Sequence, residues 1–265
     1  MNEMDEFISQ LTESIRSRQS RRKYLNQKLT EEHKQKISDF IKKISVPFDH
    51  KVLITIHQKP NKRKVFQYPK MNNVDTFAGV ISTKDILDQA KTGFVGELFI
   101  LFCESIGVST CWIGRYRKAI VNQIIQSKGG WIACITPLGY AENKQGLSEK
   151  IFSKKKNSVE ENLHENSISE LPESIRDALE LACLAPSALN NQCWYFDVQK
   201  EGKNYVVEIS KPVGYQHFKW HFTDIDVGTS AAHFWLGLKK QNIICQTLLE
   251  EKQGKAVWRF QIKLD

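Results

Sequence analysis

The chain holds six cysteines but no Cys-x-x-Cys pair. Cys103, Cys111, Cys134, Cys183, Cys193 and Cys245 are scattered, most of them inside apolar runs. That spacing excludes a zinc ribbon or a disulfide framework and predicts reduced, mostly buried thiols acting as small hydrophobes. Long apolar runs are also missing. The longest, Leu98 to Cys103, falls far short of the ~20 residues that a membrane span needs. The first residues, Met1 to Glu6, are acidic rather than apolar, so no signal segment is indicated and a cytoplasmic protein is the expectation. There is no Gly-x-Gly-x-x-Gly string and no Gly-x-x-x-x-Gly-Lys string, which argues against a dinucleotide fold and a P-loop. No Ser-His-Asp or Cys-His set can be argued from residue order alone.

What is present supports a folded protein. With 265 residues and 41% hydrophobic content, the chain can bury one full core or two closely fused half-domains. Its net charge is +8. The cations cluster at Arg16 to Lys23, Lys59 to Lys64 and Lys150 to Lys156. Clustering favours specific anion sites over a uniformly basic surface, and it permits RNA as a partner.

Apolar residues Phe7, Ile8, Leu11 and Ile15 recur near a 3.6-residue period, predicting a helix over residues 4–16. Thr30, followed by Glu31 and Glu32, reads as the cap of a second helix, which Pro47 stops. Strands are expected at Val52 to Ile56 and Phe77 to Ile81, with a polar loop or hairpin across residues 58–76. From Thr92 the chain is apolar nearly all round until Gly107, as in a buried central helix. A helix reaching about Gln126 and a strand from Trp131 to Gly139 follow. Residues 143–170 are polar and rich in Lys and Glu, and read as a linker. Beyond it the element order repeats: a helix from Ile175 to Leu184, strands at Cys193 to Val198 and Tyr205 to Ile209, a helix from Val227 to Leu238, and a last strand at Ala256 to Leu264.

The most informative stretch is Ile15 to Tyr24, which packs five cationic side chains and two serine hydroxyls into ten residues. Arginine suits phosphate because its planar fork gives paired, charge-assisted hydrogen bonds. Arg18, Ser20 and Arg22 alternate, so an extended backbone puts them on one side. Taken alone, such a run reads as a solvated basic patch, or as a nucleic-acid or membrane contact.

Residues Arg18 to Tyr24 resemble the Arg-Arg-Ser-x-Arg-x-Phe signature of the nitroreductase family, whose members bind FMN. Leu184 to Phe196 resembles that family's Ala-Pro-Ser-Ser-x-Asn-x-Gln-Pro-Trp segment. Gln19 replaces an arginine, Ala188 a serine and Cys193 a proline. Each motif occurs once, one in each half of the chain. The arrangement resembles a smaller branch of the family built as a single-chain pseudo-dimer, which implies an α+β nitroreductase-like fold with two tandem half-domains. The implied division is a first lobe at residues 1–142, the linker at 143–170 and a second lobe at 171–265, forming one flavin site and a monomer or weak homo-oligomer.

The resemblance further implies that Arg18, Ser20 and Arg22 hold the FMN phosphate, helped by a cation among Lys154, Lys155 and Lys156. Trp112, Ile113, Gly114 and Arg115 would run along the ring edge, where a backbone N–H meets flavin N5. Pro186, Ser187 and Ala188 would line the opposite side, with Asn190 fixing that loop. The Ser187 and Asn190 pair has a rival local explanation as turn and cap residues. The implied reaction takes hydride from NADH or NADPH to an electron-poor small molecule, a nitroaromatic or quinone, and needs no catalytic side chain because the cofactor carries the chemistry. Two other readings stand beside it: an FMN-binding protein without turnover, if Trp112, Trp220 or Trp235 closes the substrate face, and an RNA-binding protein using the basic clusters with aromatic stacking. His217 and His221, with Asp224 and Asp226, have a metal-like helical spacing. The interleaved Phe218, Trp220 and Phe222 favour an aromatic structural loop there. His233, within an apolar helix, reads as a satisfied core or interface histidine.

Overall fold

The structure, a computed structural model, describes residues 3–60, 65–67, 71, 73–142, 155–165, 167–168, 170–217 and 220–264. Its first helix, α1 (Glu3–Ser17), buries Ile8, Leu11 and Ile15 on one face. Helix α2 (Glu31–Lys43) begins at the anticipated cap, where Thr30 Oγ1 accepts a hydrogen bond from the His33 amide at 3.2 Å. Glu31 and Glu32 complement the positive end of its dipole.

Strands β1 (Leu53–Gln58), β2 (Thr76–Ser82) and β3 (Trp131–Leu138) form an antiparallel sheet in the order β1-β2-β3. Every residue of β2 is buried. This central strand is covered on both faces, by α3 (Ile86–Ser105) and by α4 (Lys118–Ile125), whose Ile125 rests on Gly79. Burial on both faces abolishes the polar alternation that a half-exposed strand shows. Helix α3 starts earlier than its apolar run, because Asp85 caps it by accepting from the Leu87 and Asp88 amides.

The described part of the polar span after β3 is docked. A one-turn helix, α5 (Val159–Asn162), is closed by a capping box between Ser158 and Glu161. The chain then runs beside β4, with the His164 amide donating to the Phe196 carbonyl at 2.7 Å. Helix α6 (Glu173–Cys183) leads into strands β4 (Tyr195–Glu201) and β5 (Asn204–Ser210), then helix α7 (Thr223–Lys240) and strands β6 (Cys245–Lys252) and β7 (Lys255–Lys263). The second sheet is antiparallel in the order β4-β5-β7-β6. Strand β6 has no counterpart among the expected elements. Its side chains are mostly polar and half-exposed, and it is recruited by a two-residue turn at Gln253 and Gly254, both at positive φ.

Helices α3 and α7 are buried nearly all round and cross at two glycines. A Cβ on Gly93 would collide with the Ile225 carbonyl oxygen, and one on Gly228 with that of Ala90. The crossing is reciprocal, with each helix giving its glycine to the other's backbone. Only glycine allows that approach. All six cysteines are free, and only Cys245 is not fully buried. Among the described residues, no helix is long and apolar enough to cross a membrane.

Candidate functional site

The anion motif leaves the end of α1 as extended chain held on both sides. The Arg18 amide closes the helix onto Ser14 O at 2.9 Å, and the Arg21 amide then donates to Thr110 O at 2.9 Å. Tyr24 pairs with Ala141, and its buried ring packs on Gly139. Arg22 Nη1 donates back to Ser20 O at 3.3 Å.

Arg18 turns inward. Its side chain, 9% exposed, lies with Nε 3.7 Å from Oε1 of the fully buried Glu97 on α3. That is an ionic contact, too long for a hydrogen bond, and among the described residues Nε has no hydrogen-bond partner. Glu97 is occupied elsewhere. Trp112 Nε1 donates to Oε2 at 2.8 Å, and His233 Nε2 lies 3.0 Å from Oε1. His233 Nδ1 is 3.0 Å from the Leu181 carbonyl, which only accepts, so Nδ1 carries a proton. The Nε2–Oε1 bond then needs one further proton, and the Glu97–His233 pair is neutral as a unit whichever partner holds it. His233 is thus the satisfied interface histidine that its apolar helix suggested, and it ties α7 to α3.

Lys156 approaches the same place from the other side, with Nζ donating to Ala185 O at 2.5 Å. Burial, and after it the Arg18 guanidinium, push its ammonium down to about 8, against the pull of Glu97 and Asp226. The two cations are thus near enough to repel, and one of them, Arg18, carries a buried Nε with no hydrogen-bond partner among the described residues. Beside them the Pro186–Ala188 loop is clamped to α7: Thr229 Oγ1 donates to Pro186 O at 2.7 Å, and Asp226 Oδ1 accepts from the Ala188 amide at 3.0 Å. Asp226 Oδ2 is buried and has no partner among the described residues. Burial pushes that carboxyl up to about 7, opposed by the Ala188 N–H and reinforced by Asp224. Ser187 Oγ accepts from the Gln192 amide at 2.9 Å, and Asn190 Nδ2 reaches Lys155 O at 3.5 Å. Leu189, Asn190 and Gln192 all sit at positive φ, a strain held in place by these bonds.

Of the ring-edge residues, Ile113 exchanges both backbone hydrogen bonds with Ile135 of β3 at 3.0 Å. Its amide is committed to the sheet and cannot serve a ligand. The bridge uses neither the Trp112 nor the Gly114 amide. Trp112 packs on Gly96, and Gly114 is covered by Trp220, where a Cβ would meet the indole ring. Trp220 in turn packs edge-on against Phe222 at 5.3 Å. Arg115 is exposed.

The fold therefore brings Arg18, Lys156, Trp112 and the Pro186–Ala188 loop to one place, with Ser20 and Arg22 next to Arg18 in the chain. Lys154 lies outside the described residues. Sequence reasoning missed Glu97 and Thr229 and gave Asp226 a different role. Glu97 could have been found, since it is the lone charge between Lys91 and Glu104 in a helix apolar on all sides, and such a charge requires buried partners. The helical metal spacing does not form: His217 pairs with Trp220 in a turn, ahead of α7. Among the described residues no group of three or more His, Cys, Asp or Glu is placed to hold a metal ion. A cavity of about 440 Å³ lies elsewhere, between α1, α6 and α7, lined by Glu13, Arg16, Asp177, Glu180 and Lys240 among others.

The sequence model of a family described as "Putative TM nitroreductase" matches residues 10–238. No curated protein matches the chain. A structure described as a putative nitroreductase from Thermotoga maritima MSB8 superposes with a TM-score of 0.62 at 22% identity, covering 94% of this chain and 92% of that one. A putative NADH dehydrogenase/NAD(P)H nitroreductase from Bacteroides thetaiotaomicron gives a TM-score of 0.46 at 19% identity, covering 60% of this chain and 98% of that one. A nitroreductase with bound FMN from Bacteroides fragilis gives 0.42 at 15% identity, covering 65% and 100%.

Proposed function

This chain belongs to the family of putative TM nitroreductases, and from that premise we propose that it is an FMN-dependent oxidoreductase of nitroreductase type. The observation that carries the reading is the pairing of Arg18 and Lys156. Two cations are held together at the end of a basic motif, one with a buried donor unfilled and the other pushed to about 8. A protein tolerates such a pair where an anion completes it. Arg18, Ser20, Arg22 and Lys156 would hold the cofactor's phosphate. The amides of Trp112 and Gly114 would face its ring, and the Pro186–Ala188 loop, fixed by Thr229 and Asp226, would close the other side.

When bound, FMN supplies hydride transfer between a nicotinamide donor and an electron-poor acceptor, nitroaromatic or quinone-like. The chain's residues bind, orient and exclude water. Donor identity as NADH or NADPH belongs to this proposal.

The same reading makes the molecule a pseudo-dimer of lobes at residues 1–142 and 171–265, joined by 143–170. Its support is the reciprocal Gly93–Gly228 crossing and the matched order of β1-β2-β3 with β4-β5-β7, each with its long helix. One observation favours a second reading, binding without turnover: Trp220 sits over Gly114, where an acceptor would approach.

The test is anaerobic mixing of the FMN-loaded protein with NADH and with NADPH, followed by a quinone. Loss and return of flavin absorbance at turnover rates supports the oxidoreductase. A flavin that stays oxidised with both donors supports storage instead.

A further inference from the structure

Glu97 would touch neither phosphate nor ring in this arrangement, yet three parts of the molecule converge on its carboxyl group. Arg18 comes from the anion motif, Trp112 from the ring-edge segment and His233 from α7. Both Glu97 and His233 are 0% exposed. We infer that Glu97 is the positioning residue of the site: it holds Arg18 and Trp112 in one frame and fixes that frame to α7 through His233. The inference rests on the FMN reading above.

The sign of the effect follows from the proton count. A lone carboxylate beside a phosphate site would repel the ligand, and removing it would tighten binding. Glu97 is not alone, because its pair with His233 is neutral as a unit. What it presents to Arg18 is a carboxyl oxygen of negative partial charge 3.7 Å from Nε, and its contribution is orientation.

Glu97→Gln isolates that contribution. The amide oxygen must face Trp112, whose indole only donates, so the amide NH2 takes the position of Oε1. There it donates to the free Nε2 of a neutral His233, and both hydrogen bonds survive. Arg18 alone is changed, now facing a donor where it had an acceptor. The fold is kept while the hold on Arg18 is lost.

The experiment compares FMN with riboflavin, which lacks the phosphate, by fluorescence titration of the wild type, Glu97→Gln and Arg18→Ala. The ratio of the two affinities reads the phosphate clamp alone. Wild-type protein is expected to prefer FMN by about tenfold or more, the factor of one good charge-assisted bond. In Glu97→Gln the preference should fall toward that of Arg18→Ala, with riboflavin affinity unchanged. A merely structural role would lower both affinities together and leave the ratio intact. A Glu97→Gln protein with the wild-type ratio overturns the proposal and leaves the cofactor reading standing. Wild-type protein that takes up neither flavin overturns the cofactor reading, and the proposal with it.

Discussion

Two loops hang from the α3–α7 crossing in comparable positions, each joining a helix to the first strand of a sheet, and they are docked by opposite chemistry. The loop after α6 is held by polar bonds to Lys156, Asp226 and Thr229, with buried donor and acceptor atoms left unfilled. The loop after α2 is held by aromatic packing. Phe48 lies 5.0 Å from both Phe94 of α3 and Trp258 of β7, and Phe94 lies 5.7 Å from Trp235. On the α7 side of the first sheet, Ala133 and Cys134 of β3 meet Ile225, with Trp112, Trp131, Trp220 and Phe222 packed around them. Beside the second loop the fully buried Trp258 indole packs against Phe48 and Phe94. On the proposed reading, one frame would offer a site at the polar end and a plug at the aromatic end.

The comparison breaks most severely where both ends depend on one contact. Gly228→Val should drive a side chain into the Ala90 carbonyl and separate the helices, destabilising by more than about 5 kcal/mol. Chemical denaturation should show no cooperative transition. Trp258→Ala attacks the plug alone. Its ring is fully buried, so the loss should be about 3–5 kcal/mol, read as a lower denaturation midpoint. The number of FMN molecules bound per chain should not change.

Asp226 separates the ends by pH. Its folded-state carboxyl is raised to about 7, so between the unfolded value and 7 the folded chain holds more protons than the unfolded one. Stability therefore falls as pH rises through that window. Asp226→Asn keeps the acceptor for the Ala188 amide and removes the charge, and should be more stable than wild type by roughly 2 kcal/mol at pH 8. That advantage should vanish at pH 4. Melting curves at the two pH values decide it.

The smallest effect concerns Lys156. With its ammonium lowered to about 8, FMN should bind with the full cation below that pH and lose it above. Affinity should drop by about tenfold from pH 7 to pH 9, and Lys156→Met should flatten the profile at the weaker level.

The frame was largely legible from periodicity and caps. The all-round apolar run predicted α3, Thr30 predicted the start of α2, and apolar, β-branched runs predicted six strands. Strand β6 escaped because Gln246, Glu250 and Glu251 give an exposed edge no hydrophobic signature. The docked turn at Val159 was hidden in a charged span, since two buried side chains suffice to seat four residues. Motif resemblance singled out Arg18, Lys156 and Pro186, which the fold brings near one another. It did not find Glu97, whose signal was its isolation as a charge in an apolar helix and not a motif, or Thr229, whose bond to Pro186, distant in sequence, leaves no local pattern. The ring-edge segment was legible as a stretch, but not which amides it leaves free: Ile113's is consumed by β3.

The most direct test of one open end and one closed end is an absorbance titration of the cofactor-free protein with FMN. Wild type and Trp258→Ala should each take up one FMN per chain with a two-banded flavin spectrum, and Arg18→Ala should lose most of that uptake at the same concentration. Two FMN per chain in either protein, or uptake indifferent to Arg18, would contradict the account.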